Sequence, residues 1–587
     1  MSADPEDHVK CPTSPFSVWA PGARNVDVDL GDARMPMTRG DHGWWTLALA
    51  SAGGRVDYRF VLDGGQPLPD PRSPSQPFGV HGPSRVVDHH DFRWSDQDWQ
   101  PRPLERAVIY ELHVGTFTPV GTFDAAIDRL DHLVDLGITH VELMPVAEFP
   151  GQRGWGYDGV DLYAPHHGYG GPDGLKRLVN ACHTRGLAVL LDVVYNHLGP
   201  AGNYLARFGP YFSDRYRTPW GEAVNLDGPE SDEVRRFLCD NALMWLRDYR
   251  IDGLRIDAAH ALYDQSATPF LEQLATEVDR LGAQLGRHLV LIAESDLNDP
   301  KIVRPAAIGG YGLDAVWNED FHHALHAVLT GERAGYYADF GGLTDVASAL
   351  RDGFVYGGRY SAYRRRRHGR AAGGLGGRHF IGFLQNHDQV GNRARGERLS
   401  RLVSPARLKI GAALVLTGPF VPMLFQGEEW GASMPFQYFT DHEDPALGRA
   451  VSEGRRRGFT AFGIDGEDVP DPQAAETFRR SKLDWTERGR DPHAGMLEWY
   501  RRLIGLRRDH PELADGRLEQ LRVSCDEAER WLCVERGPFT IACNLGQGPH
   551  SLPLGRPSRV VLASDPGVTL TVEAVALPPE SVTVLGP

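Results

Sequence analysis

Residues 252–260 read DGLRIDAAH, an apolar-alternating stretch that delivers Arg255 and Asp257 one after the other. Side chains two apart in a strand share a face, so guanidinium and carboxylate are expected to project together. A guanidinium beside a carboxylate favours the ionised acid, which is the form a carboxylate nucleophile needs. An ordinary strand-end ion pair has the same residues, so the surrounding chain has to decide between the two.

Outward from this stretch the same unit recurs. Short apolar strands are expected at AVIYELHV (107–114), ITHVELMP (138–145), AVLLDVVYNH (188–197) and IDGLRID (251–257), then at HLVLIAES (288–295), LDAVWN (313–318), HFIGFLQN (379–386) and FVPMLFQG (420–427). Helical segments lie between them. One opens at an Asp124 cap, spaces Ile127, Leu130, Val134 and Leu136 helically and stops at Gly137; a second opens at Asp173 and closes at Gly186; a third is capped by Ser231. Eight βα units predict an α/β fold, a (β/α)8 TIM barrel flanked by an N-terminal and a C-terminal β-sandwich. A doubly wound open sheet is the rival, but no Gly-rich dinucleotide fingerprint follows the first strand. Residues 1–92 alternate with Gly and Pro clusters and read as the N-terminal sandwich, 93–105 as a linker, 106–514 as the barrel and 515–587 as the C-terminal sandwich.

At 587 residues the chain is too long for one core. Its formal charge of −16 argues against nucleic acid or an anionic membrane as the main partner, since both want basic surface, and leaves room for an uncharged ligand such as a sugar. The polar N-terminus predicts no signal peptide, and the apolar run 411–425 is too short and too interrupted to cross a bilayer. Six cysteines without metal-ligand spacing, two of them (Cys182 and Cys239) in helical segments, fit a cytoplasmic enzyme without disulfides. DHHDF (88–92) could suggest a metal site through His89, His90 and Asp91, yet no further ligand cluster sits nearby, so an ordinary surface pair is the expectation.

In a (β/α)8 barrel chemistry sits where strands end. The strand ends here carry Asp192, Asn196, His197, Arg255, Asp257, Glu294, Asn318, Asp320, His387, Asp388, Glu428 and Glu429. Four of these segments, DVVYNH (192–197), GLRIDAAH (253–260), AESD (293–296) and QNHD (385–388), resemble in order the signature segments of the α-amylase superfamily. The resemblance implies a retaining glycosidase with Asp257 as nucleophile, Glu294 as acid/base and Asp388 as third carboxylate. Retention needs two carboxyls about 5 Å apart, one ionised and one protonated; Arg255 serves the first, and neighbouring negative charge is expected to favour the protonated form of Glu294. By the same resemblance His197 and His387 donate hydrogen bonds to the sugar, Tyr157 stacks on it, and Trp155 lies beside them.

Longer stretches, HVGTFTPVGTFDAAIDRL (113–130), GWGYDGVDLYAPHHGYGG (154–171), AVWNEDFHHALH (315–326), FQGEEWG (425–431) and FQYFTDHEDPALGRA (436–450), resemble the maltooligosyltrehalose trehalohydrolases within that superfamily. The opening FSVWAPGARNVDVDL (16–30) resembles the sandwich that precedes the barrel in branching and debranching enzymes. The implied substrate is maltooligosyltrehalose or a related α-glucan, cut at the α-1,4 bond beside its terminal trehalose, with a functional link to a maltooligosyltrehalose synthase. Asp320 and His322 are expected to line the cleft. His260 stands where many amylases carry a lysine, which points to a different leaving group. Glu428, Glu429, Trp430, Asp441 and His442 are candidates for the trehalose subsite, against the alternative of a solvated loop. The short segment 198–230 leaves little room for a calcium subdomain, so no metal and no cofactor are expected. The basic run Arg364–Arg367 reads as a solvated loop. A glycogen-branching transglycosidase shares the layout and the three carboxylates and is the alternative activity.

Overall fold

The structure is a computed structural model and describes residues 14–48, 55–460, 468–555 and 558–587; the acidic N-terminal stretch and Cys11 lie outside them. Eight strands form a closed barrel: β1 (Ile109–Leu112), β2 (His140–Leu143), β3 (Ala188–Val193), β4 (Gly253–Ile256), β5 (Val290–Ala293), β6 (Ala315–Trp317), β7 (Phe380–Phe383) and β8 (Val421–Phe425). All neighbours are parallel, in sequence order, with β8 closing on β1. Every strand residue is buried, as in a parallel sheet covered on both faces.

The barrel interior changes character along its axis. Its lower part is packed with Ile109, Leu190, Val290, Ile292, Ala315, Ile381, Val421 and Met423. Gly253 sits at that level because the space is full: a Cβ there would come within 2.5 Å of the Val290 carbonyl oxygen and 2.9 Å of Leu190. One pleat period higher, the inward positions become Glu111, Glu142, Asp192 and Arg255, with Trp317 beside them, so the polar residues are stacked on an apolar floor.

The helices pack outside. α1 (Leu130–Leu136) ends on Gly137 at φ 96°, and α2 spans Gly171–His183. The expected Asp124 cap is corrected: Thr122 caps, its Oγ1 accepting from the Ala125 N–H at 3.2 Å, and a short turn (Phe123–Ile127) precedes α1. Asp173 likewise lies within the first turn of α2 rather than ahead of it. In α3 (Ser231–Asp248) the cap position falls on Glu230 at φ 63°, with Ser231 already helical. Val134 is 41% exposed, because the apolar stripe of α1 is narrower than its spacing implies. α4 (Phe270–Leu285), α5 (Glu319–Thr330), α6 (Pro405–Leu416) and α7 (His493–Asp509) complete the outer layer.

Among the described residues, antiparallel sheets of three and four strands precede the barrel, and sheets of five and three follow it. Arg72 joins the first pair to the barrel, donating from Nη1 to the Tyr163 hydroxyl at 2.8 Å and to Asp240 Oδ2 at 2.9 Å. Arg536 does the same for the second pair, with Nη1 bonded to the carbonyls of Thr417, Gly418 and Leu513.

Candidate active site

The three carboxylates named from the sequence emerge at one rim, directly after β4, β5 and β7. Arg255 is the hub of the first two. It is fully buried, its guanidinium carbon lies 4.1 Å from the Trp317 ring centroid, and its position on β4 pairs with Asp192 on β3. Nη1 donates to Asp257 Oδ1 at 2.9 Å and to Asp192 Oδ2 at 2.7 Å, and Nη2 lies 2.8 Å from Glu294 Oε2. Asn196 Nδ2 completes Asp257, donating to Oδ2 at 2.8 Å. Planar guanidinium and carboxylates suit this shared arrangement, which a point-charge lysine does not reproduce.

The surroundings of Glu294 differ from expectation. Negative charge was expected to dominate, yet Arg255 touches the carboxyl and the Ala258 N–H donates to Oε2 at 2.7 Å. Ala258 makes that bond from φ 37°, ψ 50°, a left-handed conformation that costs a non-glycine residue about 1–2 kcal/mol. The backbone strain is thus located where it aims a donor at the acid. Asp388 lies in the first turn of the short helix His387–Gly391 and accepts from Asn392 Nδ2 at 3.1 Å. Burial in the cleft raises its pKa, opposed by His387 and reinforced by Glu294, although 35% of the side chain still meets solvent.

Above the hub, the Tyr157 hydroxyl donates to Asp192 Oδ2 at 2.6 Å and lies 2.8 Å from His387 Nε2, with the two rings stacked at 5.2 Å. Burial raises Asp192 to about 7, against the pull of Arg255. His197 bonds the Tyr157 carbonyl at 3.0 Å, and burial lowers its pKa to about 4, so it is a neutral imidazole at pH 7. Its ring stacks at 4.6 Å on Trp220, a half-exposed residue at the tip of the hairpin (212–218 with 221–224) that fills the segment after β3. His260 stands exposed in the turn after Asp257.

Other expected contacts are corrected to structural roles. Glu428 and Glu429 are 5% and 0% exposed: Glu428 is held by Tyr500 and Gln385, and Glu429 by Tyr110 and by His132 at 2.8 Å. Both acids face the interior between β1, β8 and α7, so neither reaches a sugar. Trp430 is buried against Trp485 and His132. Asp320 Oδ2 accepts from Asn298 and from the N–H groups of Val355 and Tyr356, and His322 is buried against Phe383 and Tyr337. Trp155 lies under the site, 5% exposed, with Nε1 donating to the Gln437 carbonyl. Asp441 braces the loop that carries Trp155 and Tyr157, binding Arg153 and the Gln152 N–H. The basic run spans the turn and the second strand of a hairpin (357–361 with 366–369), and Arg364 pairs at 3.1 Å with Asp296, two residues beyond Glu294.

Residues that the strand-end rule misses sit deeper or one position over. Glu111 and Glu142 lie inside the barrel; their signal was a lone acid within each apolar strand. Glu319, beside Asp320, accepts from Gln389 Nε2 at 2.7 Å, and burial, then Glu294 and Asp388, push its pKa well up. Trp220 lacked any periodic context. Among the described residues one group gathers potential metal-ligating atoms within 4.8 Å: Glu148, His166 and His167. There Glu148 Oε1 already lies 3.2 Å from His166 Nδ1 and 2.7 Å from His167 Nδ1. His89, His90 and Asp91 form one turn capped by Asp88, and they are not among the described residues whose ligating atoms gather within 4.8 Å.

Residues 90–217 match the family described as alpha amylase, catalytic domain, and residues 516–584 match a domain of unknown function, DUF3459. The chain is 53% identical to the malto-oligosyltrehalose trehalohydrolase of Arthrobacter ramosus, over 92% of this chain and 94% of that one. It is 50% identical to the enzyme of that name from Mycobacterium tuberculosis, over 92% and 94%. A crystal structure from Salmonella typhimurium described as an alpha amylase superposes with a TM-score of 0.89 at 39% identity, covering 97% of each chain.

Proposed function

The chain belongs to the malto-oligosyltrehalose trehalohydrolase family, and from that premise we propose that it is a retaining glycoside hydrolase that releases trehalose from maltooligosyltrehalose. The observation that carries the chemistry is Arg255, which holds Asp257 on one nitrogen and Glu294 on the other. Two carboxyls gripped by the two terminal nitrogens of one guanidinium are neighbours at the rim, the pairing of nucleophile and acid/base that retention requires.

Asp257, paired and hydrogen-bonded on both oxygens, is the nucleophile that attacks the anomeric carbon. Glu294 protonates the departing oxygen, and the trehalose moiety leaves. The glucosyl ester on Asp257 is then cleaved by water, from which Glu294 takes the proton. Asp388, the most exposed of the three, faces the developing positive charge on the ring. Tyr157 stacks beneath that ring, and His197 and His260 border the cleft. The substrate is supplied, on this reading, by an enzyme that converts a maltooligosaccharide end to trehalose, a maltooligosyltrehalose synthase. No described helix is long and apolar enough to cross a membrane.

Product analysis tests the reading. A trehalose-capped maltooligosaccharide yields trehalose and the shortened oligosaccharide, while a plain maltooligosaccharide of equal length is cut far more slowly. Asp257→Ala lowers kcat by about 10⁴-fold or more while leaving glucan binding in place. Branched glucan in place of trehalose would establish the transglycosidase instead.

A further inference from the structure

We propose that Glu111, inside the barrel on β1, is a positioning residue that keeps His387 doubly protonated and so fixes the direction of the Tyr157 hydroxyl. The proposal rests on the glycosidase reading for its kinetic consequence but not for its structure. Glu111 and His387 each show 1% of their side chain to solvent. Glu111 Oε2 accepts from the His387 backbone N–H at 2.9 Å, and Oε1 binds Nδ1. One carboxylate thus grips both the start of the helix after β7 and the imidazole that leaves it.

Hydrogen-bond counting settles the protons. An ionised carboxylate only accepts, so Nδ1 carries a hydrogen. A tyrosine hydroxyl has a single hydrogen, and Tyr157 lies 2.6 Å from Asp192 Oδ2, the oxygen that also takes Arg255 Nη1 at 2.7 Å. Above about pH 7 Asp192 is ionised and the hydroxyl hydrogen goes to it. The hydroxyl then offers a lone pair to His387 Nε2 at 2.8 Å, and Nε2 must donate. Both ring nitrogens are donors, which defines an imidazolium.

The charges around His387 agree. Glu111 faces it from β1, Glu142 from β2, Asp192 from β3, Arg255 from β4 and Asp388 from its own helix, with His113 beyond β1 and the rings of Trp155, Tyr157 and Trp317 around it. Burial alone would lower the imidazole, but Glu111 and then Asp388 bring it up to about 9. Burial, then Glu111, hold Glu142 well above the usual carboxylate range, and neither of its oxygens has a hydrogen-bond partner. Glu111 is the carboxylate bonded directly to the ring, whose other nitrogen lies 3.6 Å from Asp388 at the cleft floor.

The test compares Glu111→Gln, Glu111→Asp and Glu142→Gln with wild type. Glu111→Gln keeps an acceptor for the backbone N–H and loses the charge. Its alkaline limb of kcat against pH moves acid by at least about one unit, and kcat at pH 7.5 falls about 10- to 100-fold. Glu111→Asp restores part of the limb, and Glu142→Gln, at a side chain that makes no hydrogen bond to the ring, leaves the limb in place. Nuclear magnetic resonance of ring-labelled histidine, assigned with His387→Asn, reads the same change without substrate: the His387 ring titrates near 9 in wild type and near the ordinary value of about 6.5 in Glu111→Gln. A Glu111→Gln protein with lowered thermal stability but unmoved pH limb and ring titration would make Glu111 a purely structural residue and overturn the proposal. Wild-type protein that titrates as described yet releases no trehalose would leave it standing and overturn the substrate instead.

Discussion

At the scale of single residues the site is a problem in sharing one cation. Asp192, Asp257 and Glu294 converge on Arg255, and without it three carboxylates would crowd a space that water barely enters. The acids that failed to join them are equally informative. Glu428 and Glu429 follow an apolar strand as Asp257 does, but their partners are Tyr500, Tyr110 and His132, all pointing inward. Glu429→Ala leaves His132 and Tyr110 as buried donors without an acceptor, so it costs about 3–5 kcal/mol in urea unfolding and leaves KM unchanged. Unaltered stability with a raised KM would return Glu429 to the sugar.

At the scale of elements the decisive feature is the barrel's change from apolar to polar along its axis. Strands of three to six residues expose only two or three inward positions each, so one pleat step separates the Leu190 layer from the Asp192 layer. The register of β3 against β4 places Asp192 beside Arg255, and a one-residue slip would turn both away from the site. Gly253 maintains that register by letting β5 approach. Gly253→Ala forces a methyl within 2.5 Å of the Val290 carbonyl; the expected cost is about 1–3 kcal/mol, together with a drop in kcat larger than a remote substitution of equal cost produces. Equilibrium unfolding set beside turnover checks both parts.

At the scale of the molecule the linker is stapled to the closed end of the barrel. His183 of α2 bonds Asp96 of the linker at 2.5 Å and Asp252, just before β4, at 2.9 Å, and the Trp99 ring stacks on it at 4.5 Å. Arg287 and Arg250 add further cations to the two aspartates. Burial alone would lower His183, but bonds to Asp252 and Asp96 raise it; burial alone would raise the aspartates, but His183 and the arginines lower them. The histidine's contribution is complete below its unfolded value of about 6.5 and is lost as pH rises through the higher folded value. The aspartates' contribution is present above about 3.9 and is lost as pH falls through their lower folded values. Stability from this cluster therefore peaks between roughly pH 4 and 6.5. His183→Gln removes that maximum, and melting temperatures recorded from pH 4 to 9 check it; a His183→Gln curve parallel to wild type would remove the cluster from the pH dependence.

The succession of eight apolar strands, their parallel closure and the strand-end positions of Asp257, Glu294 and Asp388 were legible in the chain, because short apolar runs and the residues that follow them are local properties that survive any packing. The pairing of Arg255 with Asp257 was legible for the same reason, being two residues along one strand. What local pattern could not supply was direction: Glu429, Asp320 and His322 also follow strands, and only the packed interior shows them turned toward Tyr110, Asn298 and Phe383. Nor could it supply partners distant in sequence. Glu111 meets His387 across 276 positions, and Arg255 meets Asp192 across 63. Those contacts exist because closing the barrel brings the ends of all eight strands to one rim, which no single segment encodes.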